Sequence, residues 1–364
     1  MRPTHLALLA LLALPRFALA QRAATVPALP HYAHIFVILE ENKGYDDIMN
    51  QPDTPNITRL AHTYGIASDY YGIVHPSEGN YVAMLGGDTF GIHDDDGYFC
   101  TPHNPSRYCR KSNRPFYANH TIQAESLMDQ LTAHGLTWKA YYGALPRPGA
   151  MDVEYPATAE NPQHLPQGLY ASKHNGFMNF AEVQNSPDRA AHIVPLRQLA
   201  ADIAANTLPN YAHIVPDQCD EMHGRAGANV PPDCSYANKS GLIARGDRVT
   251  GRIVAQLMRS AAWRGPDNMA IVITFDEDAK NHPHQRQGCC GTVPGSLANF
   301  GAGRIATIVI TNHGPRHEFD NTPYSHYSLL RTVEDAFGIS RHLGHANAPG
   351  VVDMTPLFAG PSAP

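Results

Sequence analysis

The sequence predicts an α/β fold, a three-layer sandwich whose mostly parallel central sheet is covered by helices on both faces. Three observations carry this. Four short runs rich in valine and isoleucine, at 34–39, 211–215, 269–275 and 305–311, read as strands buried on both faces. Apolar residues at helical spacing lie between them, at 122–131, 242–258 and 325–337. Strands that alternate with helices pair in parallel, because each crossover helix returns the chain to the same edge of the sheet. No repeat or linker divides the chain, so residues 31–361 are expected to form a single domain.

Taken in chain order, the first element is a leader. Residues 1–20 open with Arg2, continue through the apolar run 6–14 and end in Ala18-Leu19-Ala20. This is the pattern of a secretory signal peptide cleaved near Ala20. Residues 21–30 are expected to be a disordered lead-in. No later stretch is apolar enough to cross a bilayer, so a secreted or periplasmic protein with no integral membrane segment is expected. Six cysteines (Cys100, Cys109, Cys219, Cys234, Cys289 and Cys290) fit an oxidising compartment. Cys100 and Cys109 can close a small loop. A bond between the neighbours Cys289 and Cys290 would be strained, so each is expected to reach Cys219 or Cys234. The formal charge of −6 without a basic block marks no nucleic-acid surface. The chain has 21 histidines against 27 lysines plus arginines, so its charge should change strongly between mildly acidic and neutral pH.

The next elements carry the chemistry. Glu40, Glu41 and Asn42 follow the first strand run, residues 216–223 (PDQCDEMH) the second and 276–284 (DEDAKNHPH) the third. In open α/β sheets ligands bind just beyond the carboxyl ends of the strands, and acidic clusters at three such ends point to a polar site there. Side chains alternate along a strand, so Glu40 is expected to face away from Glu41 and to be structural. The acidic stretch DDDG (94–97) lacks calcium-loop spacing and reads as a solvated turn.

In HPSEGNYVAMLGG (75–87) an apolar-periodic helix begins at Glu78, with Ser77 just before it. Ser77 reads either as an N-cap or as a nucleophile at the positive end of a helix, where a phosphate would be welcome. Glu41, Asn42, Asp276 and Glu277 offer the oxygen ligands that divalent cations take. A cation beside the Ser77 hydroxyl would lower its pKa. Asn80 could donate to a phosphoryl oxygen, and His75, Lys173, His174 and His223 could neutralise its charge. The assembly suits phosphoryl transfer, where catalysis is mostly positioning and electrostatics.

Six stretches in order, HIFVILEENKGYDDI, HPSEGNYVAMLGG, SKHNGFMNF, VPDQCDEMHG, IVITFDEDAKN and YSHYSLLRTVEDAFGI, resemble the secreted phosphoesterase family. That family holds acid phosphatases and phosphatidylcholine-type phospholipases C and lies within the alkaline phosphatase superfamily. The resemblance covers 34–358 and implies an alkaline-phosphatase-like sandwich. It implies metal ligands at Glu41, Asn42, Asp276 and Glu277 and a nucleophile at Ser77, with Asn80 at the phosphate. It implies site roles for Lys173-His174 and for Asp217 with His223. Gly79 departs from the family's usual proline.

The expected function is a secreted, metal-dependent phosphatase that hydrolyses small phosphomonoesters through a phosphoserine. Ser77 attacks, and His223 or His174 protonates the leaving alcohol. Activity is expected to be greatest below about pH 6.5, the range in which histidine is protonated. The cation is left open among calcium, magnesium, manganese and zinc. Two rivals are a phosphodiesterase or phospholipase C acting on lipid head groups, and a non-catalytic secreted protein that binds metal or phosphate.

Overall fold

The computed structural model describes residues 28–95, 120–156, 168–226, 230–292 and 301–359. The expected leader, most of the lead-in and the Cys100–Cys109 loop lie outside these residues. The strands are β1 His34–Glu40, β2 Gly65–Tyr71, β3 Trp138–Tyr142, β4 Glu154–Tyr155, β5 Tyr170–Ala171, β6 Ile193–Pro195, β7 Tyr211–Val215, β8 Met269–Phe275, β9 Arg304–Thr311, β10 Glu318–Asp320 and β11 Tyr324–Ser325. The main sheet runs β10-β2-β9-β8-β1-β7-β3-β6, with β11 also on β2, while β4 and β5 form a separate hairpin. Only β9 opposes its neighbours β2 and β8; the other pairs of this sheet are parallel. The carboxyl ends of β1, β2, β7 and β8 therefore share one edge.

The four expected strands are β1, β7, β8 and β9. Every residue of β7 and β8 is buried, as double coverage demands. Register fixes which face each side chain meets. Val37 pairs with His213, and the Phe177 ring packs edge-on to His213 at 5.1 Å. Glu40 has the opposite parity and bonds Thr250 of the Lys239–Leu257 helix. That helix therefore covers the face opposite Phe177, and Glu40 points away from the site. Asp247 of the same helix binds the backbone N–H of Asn56 (3.2 Å) and Ile57 (2.8 Å), supplying partners for the open start of the Pro55–Thr63 helix.

The helix expected at 122–131 begins later, at Leu127. Ser126 caps it in a capping box with Asp129, while Ile122 forms a bridge with Phe180. The other two expected helices span Lys239–Leu257 and His326–Ala336.

The disulfide expectation is corrected. Cys219 bonds Cys234, and Cys289 bonds Cys290. The Cys289–Cys290 pair lies against the backbone of Pro323 and Tyr324, whereas Cys219 follows β7. The two pairs are anchored to different parts of the sheet, which precludes the cross-pairing expected from the sequence.

Candidate functional site

Sheet register assembles the site. Glu40 pairs with Phe275, so the next residues, Glu41-Asn42 and Asp276-Glu277, emerge side by side at the shared edge. Asp276 N–H donates to the Glu40 carbonyl at 3.1 Å, and Glu41 N–H to the Glu221 carbonyl at 2.7 Å. Asn42 sits at φ 55°, a left-handed conformation that asparagine tolerates better than most residues. This turn lets its N–H donate to Asp276 Oδ1 at 2.9 Å.

Ser77 enters from the end of β2 through a cis His75–Pro76 bond. It precedes the Glu78–Gly86 helix, yet its backbone is helical and its side chain makes no capping bond. The hydroxyl turns instead into the carboxylates, donating to Glu41 Oε2 at 3.2 Å and lying within reach of Asp276. Gly79 explains the departure from proline: a Cβ there would stand 2.5 Å from Val74 Cγ1 and 2.8 Å from the Ile92 carbonyl oxygen.

Asn80 has a different place from the one expected. Its Oδ1 accepts from Ile73 N–H (2.8 Å) and Val74 N–H (3.1 Å), and its Nδ2 donates to the Val74 carbonyl (2.6 Å). It is fully buried and braces the turn that delivers Ser77, and it does not line the cleft. His75 is likewise engaged at both nitrogens. Nε2 donates to the Gln285 carbonyl at 2.8 Å, and Nδ1 meets Glu277 Oε2 at 2.7 Å. It orients Glu277 rather than facing a substrate.

A cleft of about 510 Å³ opens over Ser77, lined also by Asn42, Lys173, His223 and Glu277. Lys173 Nζ donates to His223 Nε2 at 3.0 Å and to Asp95 Oδ2 at 3.3 Å. His223 Nδ1 faces the Gly224 carbonyl at 2.8 Å. A carbonyl only accepts, so the ring carries its proton at Nδ1 and takes the lysine's at Nε2. Burial, with Lys173 beside it, holds His223 well below the usual histidine range.

The two histidines considered as acids separate here. His174 does not line the cleft. It is buried, stacks on Tyr81, and stands between Glu41 (3.2 Å) and Glu221 (2.6 Å). Asp217 accepts from Cys219 and Asp220 N–H in its own turn. His326 donates to the Asp276 carbonyl at 2.7 Å, holding that backbone.

Burial is the first cause that raises the Glu41, Asp276 and Glu277 carboxyls above their usual range; Asp276 then raises both glutamates further. Asp276 Oδ2 and Glu277 Oε1 are buried without a hydrogen-bond partner. Carboxylates crowded and orphaned in this way are costly unless a positive charge joins them, so the donor set fits a divalent cation. Glu41, His174 and His223 also place ligand atoms within 4.8 Å of one another, adding two nitrogens to the oxygens expected from sequence.

Asp95, Tyr81 and Glu221 were not legible as site residues. The solvated-turn reading of 94–97 is corrected for its first two residues. Asp95 is buried on Lys173 and accepts from Glu78 N–H at 3.2 Å, while Asp94 Oδ1 lies 2.9 Å from His120 Nε2. The other His120 nitrogen meets Glu78 Oε1 at 2.7 Å.

Burial alone would push His120 down, but Glu78 and Asp94 outweigh it and raise it to about 10. Its folded pKa thus exceeds the ordinary value near 6.5. The stabilisation is complete below that value and lost as pH rises through about 10. The melting temperature is expected to fall from pH 7 to 10, and His120→Gln to flatten that fall. Parallel melting curves for the two proteins across the window would contradict this.

The sequence profile of the Phosphoesterase family matches residues 48–340. The chain is 25% identical over 337 residues to a phosphatidylinositol-3-phosphatase of Mycobacterium tuberculosis, covering 93% of this chain and 87% of that one. It is 24% identical to a probable acid phosphatase of Kluyveromyces lactis and 25% identical to an acid phosphatase of Aspergillus fumigatus, over 88% and 85% of this chain. It spans only 62% and 55% of those two fungal proteins. Among solved structures, a protein in the alkaline phosphatase superfamily from Vibrio parahaemolyticus superposes with a TM-score of 0.49 at 12% identity, over 92% of this chain and 71% of that one.

Proposed function

We propose, from the premise that this chain belongs to the Phosphoesterase family, that it is a phosphomonoesterase working through a phosphoserine at Ser77. Family membership makes it a phosphoric ester hydrolase. The finer reading rests on one observation: the Ser77 hydroxyl at the start of a helix is directed into buried carboxylates beneath an open cleft.

In this reading the phosphoryl group lies on Lys173 beside Ser77, near the positive end of the Glu78–Gly86 helix, whose first N–H is held by Asp95. Ser77 Oγ attacks phosphorus in line. The new P–O bond forms as the ester P–O bond breaks, and the serine proton passes to Glu41. The leaving oxygen takes the proton shared between Lys173 Nζ and His223 Nε2. Water then attacks the phosphoserine: its P–O bond forms as the P–Oγ bond breaks, it returns a proton to that pair, and the departing Ser77 Oγ takes back the proton held on Glu41. Glu41, Asn42, Asp276 and Glu277, with His174 near Glu41, would hold a divalent cation, leaving His223 to the proton it shares with Lys173. When bound, such an ion supplies positive charge that favours the serine alkoxide and the phosphoryl oxygens.

The names of the relatives support monoesters and, for the fungal ones, an acidic optimum; protonation of His174 or His223 does not supply one, because burial and Lys173 hold both rings well below the usual histidine range. We extend secretion to this chain from its N-terminal pattern; among the described residues no helix is long and apolar enough to cross a membrane.

The test compares a chromogenic phosphomonoester with its diester, with and without chelator, from pH 5 to 9. Faster monoester turnover that chelation abolishes and that peaks in acid is expected. Diester preference would favour the phosphodiesterase reading, and no turnover of either would favour a binding protein. A kcat/KM rising steadily to pH 9 would remove the acidic optimum.

A further inference from the structure

We propose that Tyr236 is the leaving-group platform of the cleft, and that the substrates are phosphomonoesters whose leaving group is a planar ring, of aryl or nucleoside type. This rests on the phosphomonoesterase reading and names its substrate class. A cleft of about 510 Å³ is of the size that encloses a whole small molecule, about 300–1,000 Å³, so it holds much more than a phosphoryl group. The phosphoryl end is set by Ser77 and Lys173. Beyond it the lining includes Tyr236 and Leu242.

Tyr236 is 48% exposed. Among the described residues it alone of the exposed large apolar side chains lines this cleft. Its ring packs edge-on to His223 at 5.7 Å, with its hydroxyl 3.2 Å from Nδ1. That places the aromatic surface beside the group assigned to the leaving oxygen.

The ring is also held in place. Two residues earlier, Cys234 is tied to Cys219. Arg225 N–H donates to the Cys234 carbonyl at 2.9 Å, and Tyr236 N–H donates to the Arg225 carbonyl at 3.4 Å. A Cβ on Gly224 would stand 3.2 Å from Tyr236 Cδ1 and 2.8 Å from Leu242 Cδ2, so the backbone packs directly behind both side chains. A fixed aromatic face binds a flat group with little loss of conformational freedom. The lining also carries Lys43, Lys239, Lys280, Asn281 and His282, which can meet the polar groups of a nucleoside, while a lipid would need a wider apolar surface than Tyr236 and Leu242 offer. The exposed apolar residues Met151, Tyr155, Phe319 and Val352 lie outside the cleft.

The experiment measures kcat and KM for a naphthyl phosphate, a nucleoside 5′-monophosphate and glycerol 2-phosphate with wild type, Tyr236→Ala and Tyr236→Phe. Comparing variant with wild type on each substrate cancels intrinsic leaving-group ability. The expected result is a fall in kcat/KM with alanine at least about 10-fold larger on the two planar substrates than on glycerol 2-phosphate. This lies within the span reported for base–aromatic stacking. The loss should fall mainly in KM and be largely restored by phenylalanine. Equal losses on all three, or a phenylalanine variant as impaired as alanine, overturn the platform and leave the phosphomonoesterase reading standing. Wild type that turns over none of the three removes both.

Discussion

Ser77→Ala is expected to lower kcat on a phosphomonoester by at least about 1,000-fold, the scale on which removal of a nucleophile is felt, while leaving the protein folded. The pair of readouts separates two roles that look alike in sequence. A serine N-cap replaced by alanine costs about 1 kcal/mol of stability and would leave turnover largely intact. Here the hydroxyl makes no capping bond and contacts Glu41 instead, so the opposite pattern should appear: little change in melting temperature and loss of turnover. Acid quenching of wild type during turnover, followed by peptide mass measurement, should find phosphate on Ser77. A variant that melts lower yet keeps its kcat would return Ser77 to the role of a cap.

The parts of this fold legible in the sequence are those where burial is complete. β1, β7, β8 and β9 are apolar along nearly their whole length, and their composition sets them apart. β2 (GIASDYY) and β3 (WKAYY) did not stand out. β2 carries one β-branched residue and a bulge opposite β9, and β3 relies on aromatic packing such as Trp138 stacked on Phe177 and His192.

The site divides in the same way. Glu41 and Asp276 were readable because parallel register turns strand ends into neighbours. The roles of Asn80, His75 and His174 depend on which way a side chain turns once its loop is packed, and spacing cannot give that. Asp95 was hidden for a further reason. A run of aspartates usually marks solvent, and it takes the buried ammonium of Lys173 and the Glu78 N–H to make Asp95 an interior residue.

Asp276→Asn should separate the metal from the fold by giving opposite effects in two conditions. Burial raises the Asp276 carboxyl, and Asp276 in turn raises Glu41 and Glu277; without a cation their negative charges repel in a low-dielectric interior. Asparagine keeps the oxygen that accepts from Asn42 N–H and removes the charge. In chelator at pH 7.5 the variant should therefore melt above wild type. Saturating divalent cation should reverse the order, because binding to the folded state alone stabilises in proportion to affinity and wild type retains the charge that attracts the ion. Activity with the cation should fall at least about 100-fold, since altering even the outer partners of a metal ligand costs about 10–100-fold. Melting each protein with chelator and with calcium, magnesium, manganese or zinc in turn would check this. The cation that reverses the order is the one the carboxylates hold. If no cation shifts wild type, the cluster is a buried polar network whose charge is relieved by protonation, and no ion would favour the Ser77 alkoxide.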